Sequence, residues 1–297
     1  MKRGRRLRQG LVLLSAIFAG GLAASAVAGW QLARPVPARI GDPPPSLAAE
    51  RVSFPSESGS TIHAWFVPVK SARGAIVLLP PVRSNRLGMV RRAKLLSAAG
   101  YTTLLIDFQA TGESVGKAIT FGWRERFDVL GAVQFVRERA PSTPVGLIGV
   151  SLGGAAALLA TPPLHVDAMV LEAVYPSVKR AIENRLRIRV GAAAPLLTPL
   201  LSLQLRPRLG VSSEQLRPLD HIGNVRAPVF IIGGTEDRHT TEEDTRRLFD
   251  AANEPKQLWL LPGVAHVDFL DASPEEYGQR VMTFLNRSLS VSRYAAR

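Results

Sequence analysis

Residues 145–158 read Val145-Gly-Leu-Ile-Gly-Val-Ser151-Leu-Gly-Gly-Ala-Ala-Ala-Leu158. The first six residues are a short apolar run after Pro144, the pattern of a strand buried on both faces of a parallel sheet. The Ala-rich run after Leu152 reads as a helix. Between them, Gly149-Val150-Ser151-Leu152-Gly153 fits the G-x-S-x-G nucleophile elbow, and its setting of strand before and helix after is the required one. The turn is so tight that side chains at 149 and 153 would collide with neighbouring backbone, so both positions need hydrogen. The turn lifts the Ser151 oxygen above the sheet edge. The helix that follows points its positive N-terminal end at the same place, which favours a developing anion.

The same alternation extends in both directions. Residues 51–54 and 61–67 predict a pair of strands, Ala75–Leu79 and Thr102–Ile106 two buried strands, and 86–99 a helix stopped by Gly100. Residues 123–139 have helical spacing. Asp167–Ala173, Pro228–Ile232 and Leu258–Leu261 predict further strands, with helices at 242–252 and 274–289. Strands alternating with helices predict an α/β fold, a mostly parallel central sheet flanked by helices. Right-handed crossovers line up the carboxyl ends of the strands on one edge, where ligands bind. Residues 176–220 break the alternation after the sixth strand and predict a small helical cap within a domain of residues 51–292.

Two further residues fall at the edge that Ser151 occupies. Asp237 follows the strand Pro228–Ile232 in Gly234-Thr-Glu-Asp237, and His266 follows the last strand in Val264-Ala-His266. Ser, Asp and His then run in the chain order of this fold. A serine hydroxyl alone is a poor nucleophile. His266 would take its proton and return it to the leaving group, while Asp237 would fix the imidazole tautomer and stabilise its positive charge. Glu236 competes as the acid. Asp268 is a poorer substitute, because it shares a loop with the base. His239 could shape the site or belong to a helix-capping loop, and His63 reads as structural. Trp123, Glu125 and Asp128 read as the start of a helix, with acids suited to its dipole.

Residues 51–289 resemble an α/β-hydrolase, close to the small-capped serine hydrolases grouped as BEM46-like or serine-aminopeptidase-like. The resemblance is carried by AIVLLPPVRSNRLGM (75–89), AGYTTLLIDFQATGES (99–114), FGWRERFDVLGAVQFV (121–136), VGLIGVSLGGAAAL (145–158), PVFIIGGTEDRHT (228–240) and LPGVAHVDFL (261–270). It implies hydrolysis of esters, thioesters or amides through an acyl-enzyme, with an oxyanion held by the backbone N–H groups of Val82 and Leu152. Two departures stand out. Pro80-Pro81 replaces the family's His-Gly, and proline fixes φ and lacks a donor. Ala110 stands where the family often has Gly, in the loop that also holds Gly112 and Ser114.

The 297 residues are 46% apolar, carry a formal charge of +13 and include no cysteine. That size and apolar content can fill one large domain. The missing cysteine excludes disulfides and thiolate zinc sites. No metal spacing such as HExxH occurs, and no metal or organic cofactor is implied. The positive excess is local. Residues 1–39 hold seven basic groups and no acid, and 176–226 hold nine against three. With no interleaved aromatic and basic platform, a nucleic-acid partner is not expected.

Lys2–Arg8 is a basic cluster, and Gln9–Gln31 then runs without a charge. About 20 apolar residues span a bilayer core, and the basic end stays in the cytoplasm. Residues 1–33 therefore predict either a signal-anchor helix or a signal peptide, since Ala24-Ser-Ala26 and Ala26-Val-Ala28 have the small-x-small form. Both readings put the catalytic domain outside the cytoplasm, membrane-anchored or secreted. Residues 34–50, with five prolines, predict an extended linker. Arginines among leucines in the cap suggest apolar or anionic acyl substrates, or contact with lipid heads. The expected partner is a small-molecule acyl substrate. The function expected is cleavage of carboxylic esters at Ser151. Alternatives are an aminopeptidase, thioesterase or acyltransferase with the same three residues, or a non-catalytic binding module. The sequence carries no sign of oligomeric state.

Overall fold

A computed structural model describes residues 20–295 apart from 22 and 24, with side chains through residue 290. The basic cluster and most of the apolar run after it lie outside the described residues. Eight strands form one sheet: β1 Glu50–Pro55, β2 Thr61–Val67, β3 Ala75–Leu79, β4 Thr102–Ile106, β5 Val145–Val150, β6 Ala168–Glu172, β7 Val229–Gly234 and β8 Lys256–Leu261. Their order across the sheet is β8-β7-β6-β5-β3-β4-β2-β1. β1 and β2 pair antiparallel, as do β2 and β4, and the other neighbours pair parallel.

The two-residue period of the strands sorts the core into two layers. Val77 and Leu79 of β3 face one layer, together with Leu147, Met169 and Ile231. Ile76 and Leu78 face the other, together with Ile148, Val170 and Phe230. The first layer is covered by α2 (Glu125–Arg139), α3 (Leu152–Leu158) and α7 (Glu242–Ala251), through residues such as Val129, Ala155 and Leu248. The second is covered by α1 (Val90–Ala98) and α9 (Pro274–Ala295), through Ala93, Leu96, Val281 and Phe284. A central sheet buried on both faces is why its strands read as unbroken apolar runs.

The expected helix over 86–99 divides. Arg86–Met89 forms a 3₁₀ turn and the α-helix starts at Val90. Asn85 caps that turn through its side chain, and the Arg86 N–H is taken by the Asp107 carboxylate at 2.8 Å. Gly100, at φ +87°, ends the helix as expected. Between β6 and β7 lies the cap: α4 (Val178–Val190), α5 (Ala194–Ser202), α6 (Leu205–Leu209) and short 3₁₀ turns up to Asn224. α8 (Phe269–Ala272) is a single turn after the last strand.

The proline-rich stretch 34–50 is extended, but it is not a free spacer. Val36 and Pro37 pair in parallel with Thr111 and Gly112. Val36 donates its N–H to Ala110 and Ala38 donates to Gly112, each at 2.8 Å. Ile40 and Gly41 donate to one oxygen of Glu113 at 3.1 and 3.0 Å, and Leu47 is buried. The prolines predicted an extended linker, and the residues between them carry the donors that fasten it down. Burial works against the charge of Glu113, but the Gly41 and Ile40 N–H groups and the Arg86 guanidinium outweigh it and hold its pKa down at about 2.

Candidate active site

Ser151 ends the β5 strand and opens α3, with φ 49° and ψ −107°. Such a backbone is strained for a residue with a side chain and persists only where its surroundings fix it. They do so here. The Ser151 N–H donates to the Glu172 carbonyl at 2.8 Å, and the Ser151 carbonyl accepts from Ala155 at 3.0 Å. A Cβ at Gly149 would lie 2.6 Å from Gly154 Cα, and one at Gly153 would collide with the Leu79 carbonyl. Both glycines are therefore required by close approach, as the sequence implied.

Asp237 and His266 come from the loops after β7 and β8. Backbone bonds zip those loops together: Thr235 donates to Leu261 and Glu236 to Val264, each at 3.0 Å. The Asp237 carboxylate is fully buried. Its Oδ1 accepts the N–H groups of His239 and Thr240 at 2.7 and 2.8 Å, and its Oδ2 lies 2.6 Å from His266 Nδ1. The His266 side chain keeps 27% of its surface exposed. Glu236 is exposed and Asp268 bonds elsewhere, so the carboxylate in contact with the His266 ring is that of Asp237.

The three residues thus lie on the carboxyl rim of the sheet, after β5, β7 and β8, with the end of β6 between the first two. Asp237 and His266 are in contact. Among the described residues, no hydrogen bond joins the Ser151 hydroxyl to the His266 ring. Such bonds are often long before substrate binds and tighten in the complex.

Ser151 and Leu152 open into a mainly apolar cavity lined also by Val82, Phe121, Tyr175 and the cap residues Val178, Ile182 and Leu205. Leu152 stands at the first position of α3, where backbone N–H groups lack an intrahelical acceptor. The Val82 N–H has no protein acceptor among the described residues. Pro81 begins a tight turn closed by the Ser84 N–H at 3.1 Å, and Arg83 takes φ 62°. Despite the two prolines, the loop brings Val82 into the lining of the cavity that Ser151 opens into. Phe121 also has positive φ, so three strained non-glycine residues line this cavity. Ala110, at φ 63°, adopts the left-handed conformation that explains the family's glycine there.

The weaker candidates divide as follows. Glu125 is fully buried and accepts from Gln109 Nε2, Thr120 and Gly122, so it fastens the loop before α2 rather than only suiting a dipole. Asp128 accepts from Ser56 Oγ at 2.6 Å and the Gln109 N–H at 2.9 Å, and burial pushes its pKa up to about 7. Ser114 is engaged by the Asp107 carbonyl and the His63 N–H. Thr241, not His239, caps α7. The His239 ring packs 5.0 Å from that of His266, and burial, with the charge of Arg185, lowers its pKa.

Two placements escaped the sequence, which singled out the arginines of the cap, Arg185 among them, but not where they reach. Arg185 of α4 reaches the Ser151 cavity, forms no ion pair among the described residues, and has its pKa lowered by burial. Arg92 of α1 lies buried among Glu172, Asp268 and Tyr277, joining the strand behind Ser151 to the loop after His266. Neither contact follows a short sequence spacing, so only an arginine at an apolar helix position could have signalled them.

Comparison with known proteins agrees with this fold. The family model described as the alpha/beta hydrolase family matches residues 76–280. The uncharacterised Bacillus subtilis protein YqkD is 24% identical over 243 residues, 80% of each chain. The uncharacterised Salmonella typhimurium protein YfhR is 26% identical over 256 residues, covering 84% of this chain and 85% of its own. Among solved structures, the Pyrococcus furiosus esterase Pf2001 superposes with a TM-score of 0.71 at 21% identity, over 86% of this chain and 98% of its own. With the sheet, the serine elbow and a family match over more than two thirds of its length, the chain belongs to the alpha/beta hydrolase family.

Proposed function

We propose that this protein is a serine hydrolase that cleaves carboxylic esters through an acyl-enzyme on Ser151. The observation that carries the reading is the contact between His266 and the buried Asp237 on the rim where Ser151 is held in a strained turn. His266 Nε2 would accept the Ser151 proton as Oγ attacks the ester carbonyl carbon. The carbonyl oxygen becomes an oxyanion, held by the N–H groups of Val82 and Leu152. As the ester C–O bond breaks, the leaving alkoxide takes the proton from His266. Water, deprotonated by the same ring, then releases the carboxylic acid and restores the serine. Asp237 keeps Nδ1 protonated so that Nε2 is free to act. The esterase among the structural neighbours supports an ester substrate by analogy of fold.

The N-terminal segment supports a domain tethered to a membrane on its outer side, with an apolar acyl compound as substrate. Hydrolysis of p-nitrophenyl esters beside aminoacyl p-nitroanilides tests the reading. Ester turnover that disappears in Ser151→Ala is expected. Turnover of the anilides alone would assign an aminopeptidase. A folded wild type inactive on both would point to a binding module.

A further inference from the structure

The described end of the N-terminal helix, residues 25–33, packs on the hydrolase domain. Gln204 of the cap donates from Nε2 to Ser25 Oγ at 2.6 Å, and Arg208 donates to the Ala26 carbonyl at 2.9 Å. Arg83, next to Val82, donates to the Gln31 carbonyl at 2.9 Å, and the Ala33 carbonyl accepts from Ile119 at 2.8 Å. Gly29 approaches the cap so closely that a Cβ there would lie 2.9 Å from Gln204 Oε1. The same helix supplies Gly29, Leu32 and Ala33 to the cavity that holds Ser151, and the cap supplies Ile182, Leu201 and Leu205.

We infer that residues 25–33 form a wall of the substrate site, and that the groove between this helix and the cap takes the unbranched alkyl tail of an acyl ester. The inference rests on the reading of Ser151 as the nucleophile. The groove offers hydrocarbon on both sides. Gln204, Arg208 and Arg83 spend donors on the helix, so the polar groups at this seam serve the docking. An alkyl tail entering such a groove gains about fourfold in binding per buried methylene. The helix is thereby more than a tether. Cleavage after Ala26 or Ala28 would remove the Ser25 and Ala26 contacts that help to seat it.

The test uses the full chain and two substitutions in the wall, Gly29→Trp, which pushes Gln204 aside and blocks the seam, and Leu32→Ser, which is less disruptive. Two quantities are read: the ratio of kcat/KM for p-nitrophenyl decanoate to that for the acetate, and decanoate binding by calorimetry. Far-UV circular dichroism and the melting temperature confirm folding. The inference expects the wild type to favour decanoate over acetate at least tenfold. It expects Gly29→Trp to shrink that ratio at least tenfold and to weaken decanoate binding in parallel, with Leu32→Ser shifting both in the same direction by less. If Gly29→Trp does not fold, Leu32→Ser alone decides. An unchanged ratio and unchanged binding in a folded variant would overturn the inference, as would a wild type that neither binds decanoate nor prefers it. If no ester is turned over, the proposed chemistry fails, and the binding measurement still judges the groove.

Discussion

Arg92 and Asp268 meet end-on, Nη1 to Oδ2 at 2.7 Å and Nη2 to Oδ1 at 2.9 Å, two residues beyond His266. The same guanidinium holds both oxygens of Glu172, at 3.1 and 2.5 Å. The Tyr277 hydroxyl donates to Glu172 at 2.6 Å and accepts from Arg92 Nε at 3.0 Å. The Glu172 carbonyl in turn takes the Ser151 N–H. One buried arginine therefore braces the nucleophile's turn and the base's loop together. Burial opposes its charge, but Glu172, Tyr277 and Asp268 outweigh that and raise its pKa.

Arg92→Leu should lower stability by about 3–5 kcal/mol, because it leaves the Glu172 carboxylate buried without its cation. Arg92→Lys keeps the charge but loses the paired geometry. It should lower kcat while leaving KM nearly unchanged. Urea unfolding and steady-state kinetics on the two variants check both statements.

Asp237→Asn should reduce kcat by about 10³–10⁴-fold, since an amide can leave the imidazole in the wrong tautomer. The fold should survive, because Oδ1 can still accept from His239 and Thr240. Glu236→Gln, at an exposed side chain, should leave the rate within about twofold. Ester hydrolysis with melting curves as control measures the contrast.

Gly153→Ala should damage the enzyme twice. The new methyl group would strike the Leu79 carbonyl, immediately before Pro80-Pro81-Val82. The clash should lower stability by about 1–3 kcal/mol as an overpacked core does. Displacing the Val82 N–H should also lower kcat by about 10²–10³-fold, the cost of one oxyanion donor. Thermal unfolding and kcat on a short ester read the two effects separately.

Asp128 gives the protein a pH-dependent stability. Burial lifts its folded pKa to about 7, against about 3.9 when unfolded. Between those values the folded state binds more protons than the unfolded one, so this group's contribution falls as pH rises from about 4 to 7 and is level above that. Asp128→Asn should remove that slope. Melting temperatures of wild type and variant at pH 5 and pH 8 should converge less at one pH than the other, the wild type losing more on the way up. Equal losses would contradict the assignment.

The parts of the fold that repeat a local pattern were legible in the residues. Buried strands announced themselves as apolar runs, as in Val145–Val150, and Gly100 ended its helix where a left-handed residue was needed. The elbow was legible because two glycines and a serine at fixed spacing have one steric purpose. Contacts made across long sequence distances were not. Arg92 meets Glu172 at a separation of 80 residues and Asp268 at 176. The docking of 34–50 was hidden for another reason. Its prolines dominate the composition, while the N–H groups of Val36, Ala38, Ile40 and Gly41 do the fastening. The same holds for residues 25–33, whose apolar character fits a membrane segment as well as a pocket wall.

The claim on which the chemistry rests is that the hydroxyl of residue 151 becomes nucleophilic through the imidazole of residue 266. Reacting the full chain with a fluorophosphonate and locating the adduct by tandem mass spectrometry measures this directly. The account predicts one adduct, on Ser151, formed at least 10³-fold more slowly in His266→Ala. An adduct on another residue, or labelling of Ser151 at an equal rate without the histidine, would contradict it.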